Sequence, residues 1–283
     1  MPYEKLLSNK AGSLTPSQRK LLDFILANDE EAVFLNINAL AQRVQVSVAT
    51  VVRLSKALGF KGFIQFQMEL RNLFKEKRTT ISRLEKTTFA SDGQSRILLE
   101  VMRRDLDNIN ETMNQVDPET FCRFVEALNA AEQIVIVGLR SAHSLSVFMG
   151  VALEFLQREV WIVQPGIGNM WDRMFRLKDS AAVVGIGFPR YTRQTVEVLQ
   201  FAKGRQIQTL AITDSLVSPL ARNADLVLTA RCRMDSFIES FVAPLSLINA
   251  IVTALGVSHR DASLDALQPL EKLWKERGIY FDE

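Results

Sequence analysis

The sequence is poor in the residues that build disulfides and metal centres. It has two cysteines and two histidines in 283 residues, and Cys122 and Cys232 lie far apart without a Cys-x-x-Cys pattern. We interpret both as ordinary reduced residues and expect neither a metal nor another cofactor. No apolar run approaches the ~20 residues that cross a bilayer, and the start MPYEKLLSNK lacks the apolar core of a secretory signal. We therefore expect a cytoplasmic protein with no membrane partner.

A strong overall charge is also lacking, because the formal net charge is only +2. That value conceals an uneven distribution. Residues 1–86 hold 14 lysines and arginines against 8 acidic residues, whereas the remainder holds 20 against 24, giving net charges of +6 and −4. A basic first segment on a mildly acidic body suggests a polyanionic partner for the first segment alone. A solvated basic face would give the same difference.

The stretch from Thr15 to Leu73 has the pattern of short helices separated by few residues. Thr15-Pro16-Ser17 is typical of a helix start, with a capping threonine followed by proline. Ser47 predicts the cap of a later helix, and Gly59 predicts its end. The predicted buried positions recur at helical spacing: Leu21, Leu22, Ile25 and Leu26, then Ile37, Leu40, Ala41 and Val44, then Val51, Leu54 and Leu58.

After Gln133 the pattern changes to short β-branched runs with almost no alternation. These runs are IVIVGL, VWIVQ, AAVVGIGF, QTLAIT and DLVLTA. Helical segments such as 144–156, 192–204 and 217–223 separate them. Continuous apolar strands that alternate with helices predict a five-stranded parallel sheet with helices on both faces, an α/β/α sandwich.

Together these patterns predict an α + α/β chain with two domains. A helical domain occupies residues 1–78, and an α/β domain occupies 96–283. The polar stretch 79–95 between them is typical of a linker or an exposed connecting helix. Apolar helices around Phe237–Leu255 and 261–276 close the second domain.

The helical domain has the spacing of a helix-turn-helix. Leu40, Ala41 and Val44 would be buried on the first helix, and Val51 and Leu54 on the second, which in such motifs enters the major groove. Gln45 lies in the predicted turn, where a left-handed backbone is often needed. A residue other than glycine costs roughly 1 kcal/mol in that conformation, which a stable domain tolerates.

The exposed positions of the predicted second helix carry groups that suit DNA. Hydroxyls bind phosphates or base edges, a methyl contacts thymine, and arginine binds guanine or phosphate. The candidate DNA-binding residues are Ser47, Ala49, Thr50, Arg53 and Lys56. The alternative is a small helical interaction domain whose polar face meets only water.

A family resemblance is carried by INALAQRVQVSVATVVRLSKALGFKGFIQFQMEL. This stretch resembles the helix-turn-helix of RpiR-type regulators, in which a run of the form LA…VS.ATV.R…LGF.GF..F is characteristic. The resemblance implies that 47–58 is the recognition helix and that the partner is double-stranded operator DNA. It also implies that Gly59, Phe60, Gly62 and Phe63 build the turn into the next helix.

Two loops in the α/β domain have the composition of an anion site. After IVIVGL come Ser141, His143 and Ser144 at the start of a helix, where free backbone N–H groups bind anions. After AAVVGI come Arg190, Tyr191 and Thr192, which offer a guanidinium for phosphate and a cap for the next helix. Both loops follow parallel strands and therefore share the carboxyl edge, where ligands of such folds bind.

Each of these residues also has a purely structural interpretation. Gly138, before the first loop, could serve only to let the chain turn sharply. Arg190 could pair with an acidic neighbour, and His143 could be structural.

The pieces GLRSAHS, GFPRYT, AITDS, SPLARNAD and FVAPLSLINAIV together resemble the SIS (sugar isomerase) domain over about residues 118–256. The resemblance implies phosphosugar binding, with Ser141 and Ser144 in the first ligand loop and Thr192 in the second. Gly187 departs from the family, which usually has serine there. We infer a modified or acidic sugar, or a sugar acid, rather than a simple hexose phosphate.

Three functions fit these patterns. The first is a transcriptional regulator of carbohydrate metabolism, a homodimer or tetramer controlled by a sugar-phosphate-like effector. The second is a sugar-phosphate isomerase with an accessory helical domain, and the third is a structural partner-binding module. The isomerase is disfavoured because Gly187 removes a hydroxyl and because Glu239 alone stands out as an acid near the cleft, without an evident base.

Overall fold

The computed structural model describes residues 14–28, 32–77, 80–85 and 94–281, apart from 157, 165, 167 and 235. The chain divides into two compact units, and along the main chain the division falls between residues 88 and 89. Of the predicted linker 79–95, the structure describes a short helix at 80–85 and the first residues of a long helix from 94; residues 86–93 lie outside the described part.

The first unit is helical. Its helices are α1 (Pro16–Ala27), α2 (Ile37–Val44), α3 (Val48–Ala57), α4 (Phe63–Lys77) and α5 (Thr80–Glu85). As predicted, Thr15 caps α1: its hydroxyl accepts a hydrogen bond from the backbone N–H of Gln18, and the Gln18 side chain accepts one from Thr15. This reciprocal pair satisfies two backbone donors that a helix start otherwise leaves open.

The core of the first unit forms where α1, α2 and α3 meet. Leu21, Leu40 and Leu54 are fully buried there. Leu26, predicted to lie on the same face of α1, is 39% exposed instead. Arg71 Nε of α4 donates to the carbonyl of Val33 at 3.1 Å and thereby satisfies a backbone group between α1 and α2.

The second unit is built on a five-stranded parallel sheet, as predicted. Its strands are β1 (Gln133–Val137), β2 (Glu159–Ile162), β3 (Ala181–Ile186), β4 (Gln208–Thr213) and β5 (Leu226–Thr229), in the spatial order β2-β1-β3-β4-β5. β1 and β3 are neighbours, with Val137 opposite Gly185. The two candidate loops therefore leave the same edge side by side.

Helices cover both faces of this sheet. They are α6 (Gln94–Gln115), α7 (Pro118–Ala130), α8 (His143–Phe155), α9 (Met170–Phe175), α10 (Arg193–Gly204), α11 (Val242–Ser258) and α12 (Arg260–Arg277). Ile134 and Ile136 of β1 pack into the core with Phe124 and Met149, whereas Val135 of β1 packs into a second core on the opposite face. Burial of successive residues on opposite faces explains why the strands are apolar without alternation.

Two predicted helices differ from the structure. The segment 217–223 forms only a short 3₁₀ turn, Ala221–Asn223, in which the Ser218 hydroxyl accepts from the backbone N–H of Ala221 at 3.1 Å. The helix predicted from Phe237 begins at Val242, whose N–H donates to Ser240 Oγ at 3.3 Å. In both cases a serine side chain takes a backbone donor that a longer helix would have used.

Within the described ranges, no single helix is both long enough and apolar enough to cross a membrane, and α11 with α12 meets those two criteria only as a pair bent by 101°.

Candidate DNA-binding helix and ligand cleft

The turn between α2 and α3 has the predicted helix-turn-helix geometry. Gln45 adopts φ 57° and ψ 51°, the left-handed conformation. The backbone N–H of the next residue, Val46, donates to the carbonyl of Ala41 at 2.9 Å. A non-glycine residue in this conformation costs roughly 1–2 kcal/mol, so the surrounding packing holds Gln45 in a form that glycine would adopt more readily.

Burial separates two faces of α3. Val51 and Leu54 are fully buried against the other helices. The five candidate DNA-binding residues lie toward solvent: Ser47, Ala49, Arg53 and Lys56 are exposed and Thr50 is half-buried. The structure thus leaves all five at least partly accessible to a partner.

Ser47 also has a structural role. Its hydroxyl accepts a hydrogen bond from the backbone N–H of Thr50 at 3.1 Å, which is the predicted N-cap. The two hydroxyls lie 2.9 Å apart. Part of the hydrogen-bonding capacity of this pair therefore fixes the start of α3, and the remainder faces solvent.

The turn after α3 depends on a glycine. Gly59 has φ 92°, a backbone conformation that is strained for any residue with a Cβ. Beyond it the rings of Phe60 and Phe66 lie 5.2 Å apart, and Phe63 is buried. The LGF-x-GF run thus forms the turn between α3 and α4 and packs the start of α4 against the domain.

In the second unit, the loop after β1 begins at a glycine that packing requires. A Cβ on Gly138 would stand 2.8 Å from the carbonyl oxygen of Ala142 and would also meet the Ser146 side chain. The Gly138 carbonyl accepts a hydrogen bond from His143 Nδ1 at 3.2 Å. Because a carbonyl only accepts, Nδ1 carries the proton, and Nε2 is the ring nitrogen left for a ligand.

The two serines of this loop lie at the surface. Ser144 Oγ donates to the backbone carbonyl of Ser141 at 2.9 Å, and both residues are exposed. His143 between them is half-buried. The three candidate residues therefore sit together at the start of α8.

The loop after β3 is tied to the end of β4. Tyr191 Oη donates to Asp214 Oδ1 at 2.7 Å, and Thr213 Oγ1 donates to the same oxygen at 3.2 Å. Arg190, beside Tyr191, is exposed and has φ +64°. The sequence analysis did not identify Asp214 as the partner that orients Tyr191.

One expected contact is not made. Thr192 occupies the N-cap position of α10, but its side chain forms no capping hydrogen bond within the described part of the chain. The start of α10 uses a backbone bond instead, from Thr195 N to Thr192 O at 3.1 Å. Thr195 Oγ1, buried in the first turn, has no hydrogen-bond partner among the described residues.

Sequence reasoning also missed Arg140. Among the described residues, four other than glycine have positive φ, and two of these are Arg140 at +59° and Arg190 at +64°. Each lies in one of the two candidate loops. Left-handed non-glycine residues gather at ligand sites, where the surroundings hold the strain. Arg140 directly precedes the candidate residue Ser141, but nothing in the sequence predicts its left-handed backbone.

Gly187, the departure from the SIS pattern, has a packing reason. A Cβ at this position would lie 2.9 Å from Cδ2 of Leu220, whose side chain is fully buried. A serine would therefore force Leu220 to move. At this point of the sheet edge, the Cβ that a serine would add is crowded by an apolar side chain.

The comparisons with known proteins agree with this division of the chain. The model of the helix-turn-helix domain of the rpiR family matches residues 1–77, and the SIS domain model matches residues 127–254. A helix-turn-helix-type transcriptional regulator from Haemophilus influenzae is 28% identical, over 96% of this chain and 97% of its own length.

Two solved structures extend the likeness. The sugar isomerase domain of an RpiR transcription factor from Sphaerobacter thermophilus is 30% identical with a TM-score of 0.61, covering 62% of this chain and 99% of that chain. The Vibrio vulnificus NanR protein complexed with ManNAc-6P shares the fold at 21% identity and a TM-score of 0.64, over 96% and 98% of the two chains.

These findings decide between the predicted functions. The identity to the Sphaerobacter thermophilus factor and the two matched domains favour a regulator over an isomerase, as the sequence predicted. The chain belongs to the RpiR family of transcriptional regulators, with an N-terminal helix-turn-helix domain and a C-terminal SIS domain.

Proposed function

We propose that this regulator binds double-stranded operator DNA through α3 and that an anionic sugar ligand, bound at the carboxyl edge of β1 and β3, controls the binding. The observation that carries the proposal is the pairing of two loops on adjacent strands. Each loop leaves the sheet beside the other and leads directly into a helix start. The helix starts supply N–H donors, and the loops supply hydroxyl and guanidinium groups.

Among the described residues, the two helix starts at this edge, those of α8 and α10, lack a side-chain cap, as do those of α9, α11 and α12. α1, α2, α3 and α7 each have a side-chain cap. At each of the two starts one first-turn N–H already bonds to a nearby carbonyl: that of His143 to Arg140 and Ser141, and that of Thr195 to Thr192. A first-turn N–H without such a partner is available to a ligand anion. We propose Ser141, His143 and Ser144 at one start, and Arg190, Tyr191 and Thr192 at the other, as effector-binding residues.

The proposed ligand class follows from the two arginines in the loops and from the crowding at Gly187. Two arginines with left-handed backbone, Arg140 and Arg190, lie in the loops, whereas Gly187 offers no hydroxyl. Guanidinium groups bind phosphate or carboxylate in a bidentate manner. The NanR structure holds ManNAc-6P, a sugar phosphate with a modified amino group. We infer a sugar phosphate or sugar acid, with a modified or acidic sugar preferred over a simple hexose phosphate.

We propose that control of DNA binding involves a second copy of the chain. We propose a homodimer or tetramer in the cytoplasm that presents two copies of α3 to a two-fold-related operator, with the half-site spacing set by the symmetry. The proposed linker over 79–95 would carry the change between the domains. A ligand shifts this equilibrium only if it binds one state better than the other.

The test combines a ligand screen with DNA binding. The full chain selects its operator from a random duplex library. Thermal unfolding of the protein is then measured in the presence of ManNAc-6P, fructose 6-phosphate, glucosamine 6-phosphate, 6-phosphogluconate, gluconate or inorganic phosphate. A ligand that binds only the folded state raises the melting temperature. We expect one sugar anion to do so and to change operator affinity as well. If no sugar anion has either effect, the proposed effector class is wrong.

A further inference from the structure

Helix α6 packs on its own domain through its polar side. Asn108 and Thr112 are only 2% and 6% exposed. Asn108 Nδ2 donates to the carbonyl of Arg233 at 2.8 Å, and Thr112 Oγ1 accepts from the backbone N–H of Arg231 at 2.9 Å. On the same side, Asp105 accepts a hydrogen bond from Ser240. Directional hydrogen bonds therefore fix the rotation of α6 about its axis.

Most apolar residues of α6, by contrast, lie toward solvent. Leu99, Met102, Leu106 and Met113 are 55%, 56%, 60% and 68% exposed, and Ile109 is half-buried. We call these five residues the α6 seam. Their spacing of three, four, three and four residues is the repeat by which one helix packs against another. A soluble helix ordinarily turns such a stripe toward its own core.

A groove continues the seam at the end of α6. It has a volume of about 340 Å³ and lies between α6, α7 and α11. Its lining is mainly apolar and includes Ile109, Met113, Val116, Phe121 and Leu247. At the other end of the helix, Leu98 and Leu99 project into solvent, 59% and 55% exposed. One half of α6 thus carries exposed leucines, and the other half borders an apolar groove.

We propose that the α6 seam is the interface between two copies of this chain, with the two α6 helices antiparallel about a two-fold axis near Leu106. In this arrangement Leu99 of each copy lies opposite Met113 of the other and reaches its groove. A two-fold interface requires one patch that is complementary to itself, and projecting leucines beside a groove on the same helix meet that requirement. The inference rests on the homo-oligomer of the proposed function and names its surface.

The charges beside the seam favour the same arrangement. Arg103 and Asp107 are exposed and lie one turn apart on the flank of the seam that faces away from the domain. When two α6 helices run antiparallel about Leu106, Arg103 of one copy lies near Asp107 of the other. By symmetry this pair occurs twice. Exposed ion pairs add little affinity, so their effect is to select the antiparallel direction and a second copy as the partner.

The first experiment measures mass in solution. The full chain is examined by sedimentation velocity at micromolar concentration, together with Leu106→Glu and the control Leu264→Glu, an exposed leucine on α12. Leu106→Glu places two carboxylates at the two-fold axis, so we expect its mass to fall at least twofold. Leu264→Glu should keep the wild-type mass. Circular dichroism shows whether each variant is folded.

The second experiment tests the register and does not depend on how Leu106→Glu folds. Arg103→Glu and Asp107→Arg each place like charges opposite one another, and we expect each to weaken self-association roughly tenfold. The double variant Arg103→Glu/Asp107→Arg restores opposite charges and should return to wild-type affinity. Failure of the double variant to recover would overturn the antiparallel pairing.

The outcomes separate the two proposals. If the wild-type chain is an oligomer and folded Leu106→Glu keeps its mass, the seam is not the interface, while the proposed regulation by a homo-oligomer stands. If the wild-type chain is monomeric at every concentration and on operator DNA, both proposals fail. Loss of mass in Leu106→Glu but not in Leu264→Glu, together with wild-type affinity in Arg103→Glu/Asp107→Arg, supports the seam as the interface.

Discussion

The hydroxyl of Tyr191 donates a hydrogen bond to Asp214 Oδ1 at 2.7 Å, which joins the loop after β3 to the end of β4. Arg190 and Thr192 stand on either side of Tyr191, so this bond holds both candidate effector residues in place. A hydrogen bond to a charged group contributes about 1.5–3 kcal/mol when it is sheltered. Tyr191 and Asp214 are only partly buried, and the lower part of that range applies.

Tyr191→Phe should therefore weaken effector binding without abolishing it. The ring remains, and only the bond to Asp214 is lost. We expect effector affinity to fall several-fold and the melting temperature to drop slightly, measured by calorimetric titration and thermal unfolding. Tyr280→Phe, an exposed tyrosine near the end of the chain, is the matched control. Equal effector affinity in both variants would show that the Tyr191 bond does not organise the site.

Ser141→Ala and Thr192→Val should uncouple sensing from DNA binding. Both residues lie at helix starts in the proposed cleft and far along the chain from α3. We expect each variant to bind operator as well as wild type when effector is absent and to need more effector for the same response. Fluorescence anisotropy with labelled operator checks both quantities. A normal effector response in both variants would place the site elsewhere.

Arg53→Ala should weaken specific DNA binding while the domain stays folded, because Arg53 is exposed on α3. Loss of a bidentate base contact costs about 1–3 kcal/mol, which corresponds to roughly 5- to 150-fold in affinity. Lys20→Ala on α1 removes the same charge from the same unit and should have a much smaller effect. Operator titrations at several salt concentrations distinguish the two, and unchanged binding by Arg53→Ala would contradict the assignment of α3.

Gly187→Ala should destabilise the second unit, because the added Cβ would crowd Leu220. Overpacking of a core costs typically about 1–3 kcal/mol. Gly204→Ala adds the same atom at the end of α10, where nothing lies within 4 Å of the new Cβ. Urea unfolding should show a loss of stability only for Gly187→Ala. Equal stability of the two variants would mean that Leu220 yields freely.

Replacement of glutamine by glycine should have opposite effects at two nearby positions. Gln45 is left-handed, so Gln45→Gly relieves about 1–2 kcal/mol of strain and loses up to about 1 kcal/mol to backbone entropy. Gln42 lies within α2, where glycine costs about 1 kcal/mol. We expect Gln45→Gly to be neutral or stabilising and Gln42→Gly to be destabilising. The reverse order in thermal unfolding would contradict the role assigned to the turn.

The sequence predicted what depends on neighbours along the chain. The Thr15 and Ser47 caps and the left-handed Gln45 follow from local chemistry, and the five strands follow from apolar runs that both faces of the sheet bury. The bond between Tyr191 and Asp214 was missed because it joins residues 23 apart. The outward seam of α6 was missed for another reason: a regular apolar stripe ordinarily predicts burial in the same chain.

The contact between Gly187 and Leu220 also constrains how this cleft can diverge. A serine at 187 alone crowds Leu220, and a small residue at 220 alone leaves a cavity that costs about 2–5 kcal/mol. The usual SIS pattern nevertheless combines serine at 187 with the leucine of SPLA, which is Leu220 here. A chain with that pair gives up some stability for an added hydroxyl, whereas glycine at 187 avoids the crowding and leaves the ligand one hydroxyl fewer to bind.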